Sequence, residues 1–472
     1  MFKFSFKVMS GEKRKYVAFS LTMMILTTVE FIFFELLNHP LIYNMSYEEK
    51  TRIGILSLLI IIFSFFLTFY VNSQYMDYKR RELGLLYLVG RNLVDISMYL
   101  LFQYLIIFVV VIPLGFCLGA IFLPIIYAFI AQQFQFTMNI IHYNSIGAIE
   151  TMVFFLTKVM YLILINIGFT YRNQIIEIMN RTDKKKNKQT MDIMRYGGGS
   201  SLKVTFASFG MLGMQGAQRQ KVMNEMIIKD MYKNKQKSEE NKLGKKTKIL
   251  TVTSIIVYLV SLLIMIIFPF ATDYFQLSTY INSFALTIIV ASGLPYIIGK
   301  LHLQHLMKDP VNFVVWNDLQ VMLKDTIIPL ILIVLVLPYV LTMICYIKGD
   351  NIYRSIALVG YIVVEIMLAG CLFFKNNVYI HTRTSEFKTL SVMGYNQDLI
   401  KKIINKETLY HFTVAVILPF ISILIQIIKS YQYGGVSMMI LSSMIGSYLI
   451  IFIVAYFMTY ITFRKEYVGR NL

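Results

Sequence analysis

Charge is what this sequence has least of. Charged side chains make up 15% of its 472 residues, where a soluble domain carries about 25%, and that shortfall excludes a disordered chain and an ordinary cytosolic enzyme. Cysteine is nearly missing too. Cys117, Cys345 and Cys371 each stand alone in an apolar run, which excludes a disulfide framework and a zinc spacing. Among six histidines only His302 and His305 are close enough to share a helix face, and no Glu or Cys completes a metal set around them. The string nearest to a phosphate loop, Gly293 to Gly299-Lys300, has one residue too many between its glycines and Leu301 where Ser or Thr is needed. Acids are short as well, with 26 against 45 bases and a net charge of +19. What the chain does have is hydrophobic residues, 57% of the total, 36 phenylalanines and a mean hydropathy of +0.62. This composition is that of an integral membrane protein. Its basic excess belongs on the cytoplasmic face, not on nucleic acid.

A spanning helix needs about 20 apolar residues, at about 1.5 Å each across a core about 30 Å thick. Ten runs meet that length: 16–38, 53–74, 96–130, 146–171, 249–269, 280–299, 326–347, 352–374, 408–428 and 436–463. The fold class is therefore an all-α polytopic membrane protein with about ten spans. Lys3, Lys7, Lys13, Arg14 and Lys15 place the N-terminus in the cytoplasm, and an even number of spans returns Arg464, Lys465 and Arg470 to the same side. Segments 132–145 and 271–279, assigned outside, contain no Lys or Arg. The first run carries Glu30 and Glu35 and no small-residue cleavage site, so it is expected to stay as a span. Prolines 113, 124, 329, 338 and 419 fall inside spans, where proline is common.

The longest polar stretch, 172–248, divides the chain. It holds Lys184-Lys185-Lys186 and a Gly197-Gly198-Gly199-Ser200-Ser201 run, and reads as a basic cytoplasmic linker. A second reading makes 218–237 an amphipathic helix on the anionic inner leaflet or a partner, with Met223, Met226, Ile227 and Met231 as its stripe. The organisation that follows is a first four-span unit with an N-terminal amphipathic segment (1–171), the linker (172–248), an extra span pair (249–300), and a second four-span unit with a pre-span helix (301–472).

Two segments of similar design follow the second and eighth spans. The first runs Lys79-Arg80-Arg81-Glu82-Leu83-Gly84-Leu85-Leu86-Tyr87-Leu88-Val89-Gly90-Arg91-Asn92. The second runs Arg383-Thr384-Ser385-Glu386-Phe387-Lys388-Thr389-Leu390-Ser391-Val392-Met393-Gly394-Tyr395-Asn396. Glu82 and Glu386, like Gly90 and Gly394, stand 304 positions apart, so the two align without a gap. Each is expected to be a short amphipathic helix ended by a glycine in the left-handed C′ conformation. Such a helix either offers its end to a motor protein or anchors span ends at the interface. Two copies in one chain imply a pseudo-twofold arrangement.

The stretch from Arg80 to Gly90 resembles the coupling-helix signature of FtsX-like (MacB-superfamily) ABC transporter permeases, where a basic pair precedes Glu, an apolar run and Gly. The layout of ten spans, with linker and extra pair, is similar to the bacitracin-export, BceB-type permeases of Gram-positive bacteria. Asn317-Asp318-Leu319-Gln320 with Lys324-Asp325 also resembles the pre-span helix of that group. The second repeat departs from the pattern, with Thr384-Ser385 in place of the basic pair. The connection between the seventh and eighth spans, about 348–353, is too short for the large extracellular domain of the BceB type.

The resemblance implies a multi-pass permease of the plasma membrane of a Gram-positive bacterium, with no catalytic residues and no cofactor of its own. ATP and Mg would be bound by a cytosolic ABC ATPase, two copies per permease. The coupling residues would be Lys79, Arg80, Arg81, Glu82, Leu83 and Gly90 with Arg383, Glu386, Phe387 and Gly394, the two glutamates facing basic surface on the ATPase. The substrate would be an amphipathic peptide, lipopeptide or lipid, exported for resistance or immunity, with membrane lipids and a membrane histidine kinase or accessory protein as further partners. Two rival readings are a regulatory scaffold working with such a kinase and a secondary transporter with no ATPase. The latter calls for more paired acids within the spans.

Ionisable residues inside spans each need a partner or a polar path. Glu30, Glu35, Lys158 and Glu365 form either a substrate path, with Glu30 and Glu365 lining a lateral groove for a cationic amphipathic molecule, or structural contacts. The structural alternatives are an ion pair of Lys158 with one carboxylate, or a protonated Glu bonded to a neighbouring helix.

Overall fold

The computed structural model describes residues 2–11, 13–40, 46–134, 142–172, 248–270, 272–294, 310–346, 351–392, 395–433 and 438–468. Segment 173–247, with the linker and its amphipathic alternative, lies outside the described residues, as do His302 and His305. No strand occurs among the described residues. The helices are α1 (Phe2–Gly11), α2 (Lys13–Leu37), α3 (Tyr47–Leu88), α4 (Leu93–Phe134) and α5 (Ser145–Arg172) in the N-terminal half. Then come α6 (Lys248–Ile267) and α7 (Asp273–Ile288), the latter continued by a π turn, Ile289–Gly293. The C-terminal half holds α8 (Pro310–Asp325), α9 (Ile327–Tyr346), α10 (Asn351–Val392), α11 (Gln397–Gln432) and α12 (Met438–Val468).

Nine of these helices are long and apolar enough to cross a membrane. Helices α8 and α9, which meet at a 65° bend, make a tenth when the bent pair is counted as one span. The bend falls at Thr326, and Pro329 sits in the first turn of α9, where its missing N–H costs no helical bond. Helices α4, α9 and α11 run through their internal prolines.

Two expectations are corrected. The repeated segments are not separate short helices: each is the far end of a single 42-residue helix, α3 or α10. At about 1.5 Å per residue such a helix is about 63 Å long, twice the hydrocarbon core, so the spans project out of the bilayer as stalks. No Gly or Pro interrupts 71–83, and the helix runs on through Gly84 to its stop at Gly90. The sixth span also starts earlier than 280. Thr272 caps α7 by accepting from the Phe275 N–H, and Ser278, Thr279 and Asn282 are buried, so residues that read as an outside turn are helix.

The 304-residue offset runs well beyond the repeated segments. It carries Tyr47, the start of α3, onto Asn351, the start of α10, and Leu88 onto Val392, their ends. It also carries the start of α4 onto that of α11. Asn72 and Asn376 are equivalent, and so are Tyr75 and Tyr379. Each asparagine bonds to the following helix of its own half. Asn72 accepts from the Tyr104 hydroxyl of α4, and Asn376 lies 3.3 Å from His411 of α11.

The halves are not equal in packing. Helix α10 packs on α9 and α12 of its own half and on α2 and α3 of the other, so 89% of its apolar stretch is buried, against 44% for α3. The extra pair belongs to the C-terminal half: α7 packs on α9 and α11. Asn282 donates to Ser261 of α6 at 2.9 Å and accepts from Ser422 of α11 at 2.6 Å.

Candidate functional site

The end of α3 is built around a complete left-handed stop. Gly90 has φ +86°, its N–H donates to the Tyr87 carbonyl at 2.9 Å, and the Arg91 N–H donates to the Leu86 carbonyl at 3.2 Å. These are the two bonds of a Schellman motif, and a Cβ would be strained at that φ. Just before the stop, Leu85, Leu88 and Val89 are exposed, Val89 by 80%, while Leu83 turns inward onto Met76, Ile96, Tyr99 and Leu100. The stalk therefore presents an apolar tip on an anchored base. This apolar surface lies past the basic run at 79–81.

The base is polar and closed. Lys79 is buried, its Nζ 2.7 Å from the Tyr16 hydroxyl of α2, hydrogen-bonded to Gln103 of α4 and 3.6 Å from Glu82. The ammonium also lies 4.4 Å from the Tyr16 ring centre and 5.5 Å from that of Tyr99. Tyr99 in turn donates its hydroxyl to Glu82. Glu82 thus turns toward Lys79 and Tyr99 instead of outward, and it serves the base of the tip. Arg80 and Arg81 are helical positions in α3 whose side chains are not among those described.

The C-terminal half repeats the helix stop and the apolar packing beside it. The Tyr395 N–H donates to the Leu390 carbonyl at 3.1 Å, the counterpart of the Arg91 bond. Phe387, equivalent to Leu83, is buried against Ile400, Ile403 and Ile404, which stand where Ile96, Tyr99 and Leu100 stand. Val311 and Val315 of α8 complete that cluster. Arg383 and Glu386 are helical in α10, their side chains not among those described, and Gly394 lies outside the described residues.

Of the four intramembrane residues, Glu30, Lys158 and Glu35 have side-chain partners in the structure. Lys158 of α5 pairs with Glu30 of α2, and Ser64 of α3 donates to the same Glu30 oxygen while lying 3.1 Å from the ammonium. Glu30 thus meets Lys158, the ion pair that the structural alternative names. Three helices supply the pair, and a pair of this kind is the cheapest way to keep both charges out of water. Glu35 accepts from the Asn144 N–H at 2.9 Å at the start of α5, where the helix dipole favours a carboxylate. Gly147 permits this approach, since a Cβ there would lie 3.0 Å from the Glu35 Cα. Glu365 is fully buried on α10 beside Tyr361, Ser447 and Tyr448. Among the described residues no group of three or more His, Cys, Asp or Glu is placed to hold a metal ion.

Several residues of these sites escape a sequence reading. Tyr16, Tyr99 and Gln103 come from helices flanking the repeated segment, so no local motif contains them. Asn72 and Tyr75 carry a signal that extending the 304-residue alignment upstream would reveal.

A chain of about ten apolar helices in two offset-related halves is a polytopic membrane protein. Within it, residues 54–173 match the family described as FtsX-like permease C-terminal. That stretch holds most of α3, all of α4 and α5, and the tip with every residue of its base except Tyr16; it is similar to permease domains that form the membrane component of ABC transporters and work with a cytosolic ATPase. No curated protein matches the chain.

Proposed function

We propose that this protein is the permease subunit of an ATP-driven ABC transporter in the plasma membrane, docking a cytosolic ATPase at the ends of α3 and α10. The observation that carries this reading is the exposed apolar tip Leu85, Leu88 and Val89, held on a buried base and closed by Gly90, inside the stretch that matches a permease family. A tip of this kind fits a groove on a partner, and a 42-residue stalk continuous with a span converts movement at the tip into movement within the bilayer. The equal stalk at 351–392 supports a second docking site, and so two ATPase copies for one permease. ATP and Mg belong to that partner. The likeness of the layout to BceB-type permeases supports an amphipathic peptide, lipopeptide or lipid as the substrate class, removed from the membrane of a Gram-positive cell, with a histidine kinase as a further partner.

The test is recovery of the protein from its native membrane, with bound partners identified by mass spectrometry, beside a Leu85→Asp, Leu88→Asp variant of equal abundance. The reading expects an ABC-type ATPase with the native form and its loss with the variant. A monodisperse native protein with no ATPase bound contradicts it.

A further inference from the structure

We propose that Lys79 is the positioning residue of a joint that transmits displacement of the α3 tip to α2 and α4, and that it touches no partner itself. The proposal rests on the reading of the tip as an ATPase dock. Lys79 is 1% exposed, so an ATPase resting on the tip cannot reach it. Its contacts come from three helices: Tyr16 at the start of α2, Glu82 one turn along α3, and Gln103 near the start of α4. Gln103 also donates to the Tyr16 hydroxyl at 3.0 Å, which closes the ring without Lys79, and Tyr99 locks Glu82 from the α4 side. The ammonium therefore stands where the feet of three spans meet, a turn and a half before the first exposed residue of the tip, Leu85.

A buried charge makes such a joint stiff. Sliding α3 along α2 or α4 strips the ammonium of an acceptor in a site closed to water, so the three feet move together or not at all. In the C-terminal half Ile403 stands where Tyr99 stands, in an apolar cluster with Phe387 and Ile400, while Lys79, Glu82 and Gln103 correspond to Arg383, Glu386 and the buried Glu407.

The experiment uses the complex purified from native membranes, reconstituted in lipid nanodiscs, as native protein, Lys79→Met and Lys79→Arg. Amide hydrogen exchange is followed with and without Mg-ATP, and retained ATPase is quantified. With native protein and Lys79→Arg, nucleotide changes exchange at the tip (85–91) and at the feet of α2 (16–23) and α4 (96–104). With Lys79→Met the tip still responds and ATPase is retained, while the response of both feet falls roughly fivefold or more. Feet that respond in Lys79→Met as in the native protein overturn the proposal. Loss of ATPase from Lys79→Met also overturns it, because Lys79 would then belong to the dock.

If Lys79→Met does not accumulate, Tyr99→Phe removes only the hydroxyl that holds Glu82. It is expected to weaken the same two responses and no others, and unchanged feet count against the joint. If the native protein carries no ATPase, the docking reading fails on its own. The joint is then judged on the permease alone, where Lys79→Met should speed exchange at 85–91 about tenfold and leave 389–392 unchanged. Equal exchange in both forms would sink it.

Discussion

Lys158 and Glu30, 128 residues apart in the chain, form a buried ion pair that Ser64 completes from a third helix. The pair knits α2, α3 and α5, and it engages a carboxylate that would otherwise suit a cationic substrate. Lys158 also lies 4.7 Å from the Phe154 ring centre, so its surroundings are aromatic on one side and anionic on the other.

Removing one partner leaves the other charge buried. Lys158→Met alone is expected to destabilise the protein by about 3–5 kcal/mol, and the double variant Glu30→Gln, Lys158→Met by far less, since an apolar replacement of both costs little. Unfolding midpoints of the wild type, both single variants and the double variant close the cycle. Additive single effects would contradict a direct pair.

The Glu35 carboxylate secures the start of α5 through the Asn144 N–H, with Asn144 also donating to the Asn38 carbonyl at 2.9 Å. Glu35→Gln should cost about 1 kcal/mol, in the range of a lost helix cap. Gly147→Leu should cost more, because its Cβ meets Glu35 backbone that cannot swing aside. Thermal melts of the two variants in one detergent rank them, and the reverse order would count against this arrangement.

His39, beyond the end of α2, faces the Tyr127 ring at 5.3 Å and the His142 ring at 5.2 Å. Burial, and then the charge of His142, pushes its pKa down from 6.5 to about 4. Between those values the unfolded chain binds a proton that the folded protein refuses, so stability is full above about pH 6.5 and falls as pH drops toward 4. Glu35, Glu150, Tyr127 and His142 share this corner, so the comparison that matters is with His39→Gln. The variant should lose less stability than the wild type between pH 6.5 and 4, and parallel curves would refute the assignment.

Gly90 tests the stop at the tip. No atom lies within 4 Å of the place a Cβ would take, and φ is +86°, so a side chain there meets only backbone strain, about 1–2 kcal/mol for a β-branched residue. Gly90→Val should loosen the last turn of α3 and weaken ATPase retention, while Gly90→Asn, which tolerates the left-handed region, should keep it. Quantified co-purification separates the two, and equal retention would show that the stop is dispensable.

The sequence makes the spans legible because apolar length is a one-dimensional property. The equality of the stalks was within reach too, since Glu82 and Glu386, Gly90 and Gly394 share one offset. Why the stalks are continuous was harder to see, because 77–83 is polar yet still good helix, and hydropathy marks the bilayer edge without marking a helix end. Partner choice is a three-dimensional fact. Glu30 has two plausible mates in Lys158 and a substrate, and the meeting of α2, α3 and α5 is what brings Lys158 to it. The same holds for Lys79, whose acceptors Tyr16 and Gln103 lie 63 and 24 residues away. Thr326 and His411 are a further case: the hydroxyl at the bend of α8 and α9 lies 2.8 Å from a ring 85 residues on.

The most direct measurement is photo-crosslinking from the tip in living cells. A photoreactive residue at Val89, the most exposed position of the tip, is compared with one at Ile62, exposed in the middle of the apolar stretch of α3. The account predicts a covalent adduct between position 89 and a cytosolic ABC ATPase, absent from position 62. Adducts at 89 with lipid alone, or with proteins that hydrolyse no nucleotide, would contradict it.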